Sequence, residues 1–460
     1  MSYSKKSYKR FQNRIKHLLL ALILVIGCLK QEVHAQKQAV PPALFTENLF
    51  YTTEVMVTDV ASPPAAARFY AYTTLAAHLA YTQASKSSLD ESLLLLTNRQ
   101  LEPMILDNSE IMPEFVSTYA MLLVGQQIMP SGDLLLEKQH KLISIFLKRK
   151  WLGKKEIEKN IQFASTIANQ VLRLARTDGY RQLSTLTRYS PKKGEGYWFP
   201  TPPAYMAAVE PEWRTIQPFF LTNIQQYKPS PPAPFDLTEG SPFKVQLDEV
   251  FEVTRTLTEE QELIANFWDC NPFKVEFSGH MAIGIKKISP GGHWVGITGI
   301  ASEKAKLNWE ETLYIHALVS MGLHDAFISC WEEKYDSDRV RPESVIQRHL
   351  DQEWRPLLQT PPFPEYTSGH SVISSATAEI LTAYFGDNFN FIDTSEIYFG
   401  LPERAFDSFY QAAEEAAISR LYGGIHFRDA IEEGVKQGRK IGLTILEIVN
   451  PPNSLANQWK

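Results

Sequence analysis

Two helical patterns in this chain each end on a cation where the buried face calls for a hydrophobe, and this pairing restricts the possible folds more than any other feature. Lys334 follows Leu323, Phe327, Cys330 and Trp331 at offsets of 11, 7, 4 and 3 residues, and Arg420 follows Phe409, Ala413, Ala416 and Ala417 at the same four offsets. Those offsets share one face of an α-helix. An isolated buried charge costs far more than packing its stem returns. Either each cation snorkels at its helix end, or the fold brings an anion to it. A third polar group, His426, heads a seam of Ala430, Gly434, Gly438 and Gly442. Small residues at a period of four let another backbone approach closely and place His426 inward.

Two further segments complete the set. Thr367-Ser368-Gly369-His370 opens a helix, where free backbone N–H groups attract anions; Ser368 also reads as a plain N-cap. His370 is followed on its own face by Ile373, Ser374, Thr377 and Leu381, so it points inward. Arg341 precedes Pro342 and is therefore expected to be extended. The Lys334 helix must then end near residues 335–337, with a short loop returning Arg341 toward it. Three cations, a hydroxyl, helix-terminal amides and two histidines make an oxyanion cage, in which each charge-assisted hydrogen bond is worth roughly 1.5–3 kcal/mol.

The rest of the 460 residues also reads as helical. Helices are expected over 65–83, 114–128 and 154–179, the last stopped by Asp178-Gly179; β-branched alternation is scarce there, so no strands are expected. Residues 191–242 hold 11 of the 28 prolines and mark a long irregular connection. Its Tyr197, Trp198, Phe199, Tyr205, Trp213, Phe219 and Phe220 indicate that it packs over helices instead of floating as a linker. Helical patterning returns over 258–268, 301–335, 368–385, 403–422 and 426–449. The expected architecture is an all-α helical bundle with an N-terminal helical region (36–190), the proline-rich connection (191–242) and a C-terminal region (243–460) that carries the cage.

Residues 1–35 read as an export signal: six cations precede an apolar run from Leu18 to Gly27, too short to span a bilayer. Val33-His34-Ala35 before Gln36 fits a peptidase site, whereas Val25-Ile26-Gly27-Cys28 fits a lipoprotein box that would acylate Cys28. Losing these 35 residues, with seven cations and one acid, takes the formal charge from −6 to −12. An acidic chain argues against a nucleic-acid backbone as partner. No later segment offers 18 uncharged apolar residues, so no membrane span is expected. Cys270 and Cys330 permit one disulfide, or stand as two buried thiols.

Lys334-x6-Arg341-Pro342, Ser368-Gly369-His370 and Ser419-Arg420-x5-His426 together resemble the signature of the type 2 phosphatidic acid phosphatase and vanadium-dependent haloperoxidase superfamily. The surroundings Asp325-Ala326-Phe327-Ile328, Trp331, Pro364-Glu365-Tyr366 and Tyr422-Gly423-Gly424-Ile425-His426-Phe427-Arg428 are most similar to bacterial vanadium haloperoxidases. The resemblance spans about 301–442 and extends weakly to 198–203 and to Gly292-His293-Trp294. It implies the helical-bundle fold of that superfamily. Lys334, Arg341 and Arg420 would neutralise equatorial oxygens of vanadate or phosphate, Ser368 and the Gly369 amide would donate to them, His370 would serve as acid/base group, and His426 would bond to vanadium. The implied cofactor is vanadate, with hydrogen peroxide and a halide as co-substrates and hypohalous acid as product. In a phosphatase acting on a phosphomonoester, His426 would instead be the nucleophile and His370 the acid for the leaving alcohol. A helical lipoprotein that binds an oxyanion without catalysis is the third reading.

Two departures stand out. Thr367 occupies a place where the superfamily usually has proline. The acid expected four residues after the histidine is absent, since Ala430 is there; Asp429, one residue earlier, either orients His426 or serves only its own helix terminus. Ser278-Gly279-His280 repeats the triplet of the second motif but has no partner motifs and reads as a surface or core-edge turn. His293, His316, His324 and His349 lack metal-ligand spacing in the sequence and read as core or surface residues.

Overall fold

Helices begin where the sequence supplies a cap. Ser241, Ser289, Asn308, Ser368 and Ser408 each accept, through the side chain, a hydrogen bond from the backbone amide three residues on, and five helices start there. The computed structural model describes residues 39–85, 93, 97, 99 and 109–450. The expected export segment, with Cys28 and Ala35, lies outside the described residues.

Ahead of the proline-rich stretch run α1 (Ala43–Thr58), α2 (Pro63–Ser85), α3 (Pro113–Ile128), α4 (Leu135–Lys148) and α5 (Lys154–Arg176). After it come α6 (Pro242–Arg255), α7 (Glu259–Phe267), α8 (Pro290–Lys304), α9 (Trp309–Ser337), α10 (Pro342–His349), α11 (Gly369–Phe385), α12 (Phe409–Tyr422) and α13 (Arg428–Val449). Two antiparallel hairpins are inserted: β1 (Val275–Ser278) with β2 (Met281–Gly284), and β3 (Phe391–Asp393) with β4 (Arg404–Phe406). The Ser278-Gly279-His280 triplet makes the exposed turn of the first hairpin, Gly279 taking a φ of +59°.

The core centres on α9, which is buried almost throughout and packs against α2, α8 and α11. A helix apolar all round belongs in the middle of a bundle. Among the described residues α9 is long and apolar enough by composition to cross a membrane, and that apolar stretch is wholly buried inside the bundle. α11 in turn packs on α12 and α13. Its approach to α13 is very close: a Cβ added at Gly438 would lie 2.1 Å from the Val372 carbonyl oxygen, and one at Gly442 would lie 2.7 Å from that of Ala376. The seam read from the sequence is thus a backbone-to-backbone contact, and the Ser368 amide donates across it to the Ala430 carbonyl at 2.9 Å.

Three expected boundaries differ. The pattern over 301–335 is two helices, because α8 stops at Lys304, Lys306 turns to φ +54°, and Asn308 with Glu311 forms a capping box that restarts the chain as α9. The pattern from 403 begins as β4, and its helix waits for the Ser408 cap. His426 stands ahead of α13, on the connection from α12.

The proline-rich stretch is pinned to the bundle. Asp325 of α9 accepts hydrogen bonds from the amides of Phe219, Phe220 and Leu221 at 2.7, 2.7 and 3.0 Å. Trp198 donates its amide to the Asp338 carbonyl, and Val209 donates to that of Pro362. Trp198, Trp213, Phe219 and Phe220 are buried, and Tyr205 is exposed. The stretch therefore backs the segments that carry Lys334, Arg341 and the 361–367 loop.

Candidate active site

Each cation of the cage is placed by local structure that its sequence dictates. Lys334 lies in the last turn of α9, which ends at Asp338 in the left-handed region (φ +51°). Arg341 is extended (φ −83°, ψ +150°) and immediately precedes α10. Lys334 Nζ donates to the carbonyls of Pro364, Glu365 and Thr367 at 3.0, 3.0 and 2.5 Å. Arg341 donates to those of Phe363 (2.9 Å), Ile425 (2.8 Å) and Pro364 (3.4 Å). The Pro364 carbonyl therefore joins the two cations. Arg420, near the end of α12, donates to the Trp268 carbonyl at 2.6 Å and to Ser419 Oγ at 2.9 Å.

All three cations are buried, and among the described residues none has a carboxylate within salt-bridge distance. Burial pulls the Lys334 ammonium down to about 7 and the guanidinium groups of Arg341 and Arg420 down to about 10. Buried positive charge whose hydrogen-bond partners are all neutral groups calls for an anion.

His426 contributes a lone pair to this field. Its Nδ1 lies 2.8 Å from Glu365 Oε1, and its Nε2 accepts from Arg341 Nη1 at 3.1 Å. An arginine N–H only donates, so Nδ1 carries the proton, which Glu365 accepts, and Nε2 presents its lone pair. Burial first, then Arg341, Lys334 and Arg420, holds this imidazole well below its ordinary pKa. His370, in the first turn of α11, lines the cleft with Arg420 and His426. Its Nε2 is buried without a hydrogen-bond partner. Burial, followed by the charge of Arg420, holds it well below its ordinary pKa, so it is neutral at physiological pH. Ser368 caps α11 through its side chain, taking the Ser371 amide at 3.3 Å, and Gly369 is the first residue of that helix. The cleft has about 500 Å³ of open space including its mouth, and Phe273, Phe327, Trp331 and Phe363 form its apolar walls.

Of the expected residues, Gly369, His370, Arg420 and His426 line the cleft. Lys334, Arg341 and Ser368 are fully buried beside it, Arg341 reaching it through His426 Nε2, Lys334 through the Thr367 carbonyl and Ser368 through its place ahead of Gly369. Asp429 does not touch His426. It pairs with Arg339 at 2.5 Å, Arg339 lies 3.5 Å from Glu365, and Glu365 holds the histidine. The orienting acid is Glu365, which lies on the loop ahead of Ser368 and not on the helix after His426. Only the Pro364-Glu365-Tyr366 context pointed toward it, because an acid in an irregular loop has no periodicity to mark it. Thr367, in the place usually held by proline, donates its hydroxyl to Gln437 Oε1 at 2.7 Å, a tie to α13 that proline lacks. Cys270 and Cys330 are both buried free thiols, so the disulfide alternative does not hold.

A helical bundle that buries three cations without salt-bridge partners around a carboxylate-held histidine defines an oxyanion-binding protein with acid/base groups in place. Residues 314–452 match the family model of the VCPO second helical-bundle domain. A bacterial vanadium-dependent iodoperoxidase of known crystal structure is 39% identical with a TM-score of 0.82, the match covering 89% of this chain and 97% of that one. Holo-type and apo-type structures of a bacterial vanadium-dependent chloroperoxidase share the fold at 15% identity and a TM-score of 0.59, over 85% of this chain and 93% and 94% of theirs. No curated protein sequence matches. The chain belongs to the vanadium-dependent haloperoxidase family, whose enzymes are peroxidases that use vanadate.

Proposed function

We propose that this chain oxidises a halide with hydrogen peroxide at a vanadate held by His426. The observation that carries the reading is the fixed tautomer of His426: a carboxylate holds Nδ1–H, so the Nε2 lone pair faces a field of buried cations. The donor set fits a tetrahedral oxyanion, with Lys334, Arg341, Arg420, Ser368 Oγ and the Gly369 amide to neutralise its oxygens and His426 Nε2 to hold its centre. Bound vanadate supplies the Lewis-acid centre at which peroxide becomes electrophilic toward halide. Neutral His370 accepts a proton from incoming hydrogen peroxide and returns it as the O–O bond breaks. Peroxide, halide and one proton give hypohalous acid and water, the halide losing two electrons and the peroxide gaining them. Lys334 and the arginines hold the negative charge that accumulates on oxygen. Iodide is the first halide to try, given the 39% identical iodoperoxidase.

The test incubates purified protein with orthovanadate, hydrogen peroxide and iodide, bromide or chloride, and in parallel with a phosphomonoester free of vanadate. Vanadate-dependent halide oxidation, lost in His426→Ala and reduced by about 10²–10⁴-fold in His370→Ala, supports the reading. Ester hydrolysis without halide oxidation would assign the cage to a phosphohistidine mechanism instead, and vanadate binding with turnover of neither substrate would favour mere oxyanion binding. We further infer export, from the six cations ahead of Leu18 to Gly27. Mass spectrometry of the mature N-terminus distinguishes a start at Gln36 from an acylated Cys28.

A further inference from the structure

Sharing Cys270 with the wall of the cleft is a second polar cluster, which the proposed halide oxidation does not use. Cys270 follows α7, His293 sits in the first turn of α8, and Asp393 and Glu396 come from the end of β3 and the turn after it. All four are buried, the most exposed at 2%. His293 Nε2 lies 2.7 Å from Asp393 Oδ2, and its Nδ1 lies 3.5 Å from Cys270 Sγ and 3.3 Å from Glu396 Oε1. Asp393 also takes the amide and hydroxyl of Ser395, which fixes its carboxylate. Glu396 Oε1 has no hydrogen-bond partner although it is buried. The indole of Trp268 stacks on the imidazole at 4.5 Å.

A carboxylate on one ring nitrogen is the usual support for a histidine whose other nitrogen binds a metal. Here that other nitrogen converges with a thiol and a carboxylate oxygen that no hydrogen bond satisfies, the three groups offering ligand atoms within 4.8 Å of one another. Tetrahedral zinc, with bonds of about 2.3 Å to sulfur and about 2.0–2.2 Å to nitrogen and oxygen, sets its ligands about 3.5 Å apart for S and N and about 3.4 Å for N and O. The observed separations are 3.5 and 3.3 Å. We propose that Cys270, His293 and Glu396 form a zinc-class metal site, with Asp393 orienting His293. Thiolate and imidazole with a single carboxylate select zinc over magnesium or calcium, which take oxygen ligands. Three protein ligands leave the fourth position to water. Cys270 also lines the cleft, which offers the ion a route in. The rival arrangement is a metal-free imidazolium between two carboxylates: burial lowers the His293 pKa, and Asp393 and Glu396 outweigh it.

The experiment uses the full-length protein, loaded with zinc or with cobalt(II) and desalted. Elemental analysis is expected to find one zinc per chain, and the cobalt form is expected to show thiolate-to-cobalt charge transfer in the near ultraviolet. Cys270→Ser removes that band and weakens zinc at least 100-fold, whereas Asp393→Asn keeps the band and weakens the metal about 10–100-fold. His426→Ala retains both metal and band, which separates this site from the vanadate reading. Absence of stoichiometric zinc, a cobalt spectrum without the thiolate band, or equal zinc affinity in wild type and Cys270→Ser overturns the proposal. If circular dichroism shows that Cys270→Ser does not fold, the wild-type cobalt spectrum decides.

Discussion

Glu365 does two jobs from one loop position: its side chain fixes the His426 tautomer, and its carbonyl holds Lys334. Glu365→Gln keeps the shape and the carbonyl and removes the charge. Vanadate affinity is expected to fall about 10–100-fold, as when other ligand-orienting carboxylates are lost; an unchanged dissociation constant by equilibrium dialysis would sink the assignment. Lys334 adds a pH dependence. Its pKa falls from 10.5 to about 7 in the folded chain, so between those values the unfolded chain binds a proton that the folded chain does not, and this residue's contribution to stability rises with pH. A bound anion restores the charge and takes up that proton. Affinity for sulfate, whose own charge is constant there, is expected to fall by up to about tenfold per pH unit above about pH 7; a flat calorimetric profile would count against it. Lys334 and Arg420 were legible in the sequence because each continues an apolar stripe, and Arg341 because it precedes Pro342 a short loop after the Lys334 helix. Glu365 and Arg339 were not, because both lie on segments whose direction is set by long-range contacts.

At the scale of elements, the glycine seam carries the energetics of the site. Gly438→Ala would drive a methyl against the Val372 carbonyl, which is backbone and has no rotamer to yield. The cost is expected to be at least about 1–3 kcal/mol, with lost activity because α11 carries Ser368 and His370. Gly284→Ala, on an exposed strand with nothing within 4 Å, is the control and should stay within about 0.5 kcal/mol. Thermal melts of the two variants check this; equal melting temperatures would show that the contact is soft. Helical periodicity disclosed this seam but not the break at 305–308, because side chains on both sides of Asn308 keep the apolar rhythm of a single helix while capping restarts the chain. The same limit hid the offset of His426 from α13.

Over the whole molecule, the irregular proline-rich stretch is tied to the bundle at many points, and Asp325 alone holds three of its amides. Asp325→Ala would leave the amides of Phe219, Phe220 and Leu221 without their acceptor, at about 1–3 kcal/mol for each that stays buried. Limited proteolysis is expected to cut within 191–242 faster in the variant, and equal cutting rates would assign the anchoring to the buried aromatics instead. Tertiary partners of this kind, like the meeting of Cys270, His293 and Glu396 from segments far apart in the chain, leave no spacing to read in one dimension. The seam between α11 and α13 has one more consequence, for divergence. The span separating the α11 end of the cage from the chain leading into α13 is set where main chain meets main chain along the glycine seam, with the Thr367–Gln437 hydrogen bond beside it. Substitutions over most of the bundle can accumulate without retuning that dimension, and lineages are free to remodel the cleft walls, and with them substrate choice, around an interval that the seam itself holds.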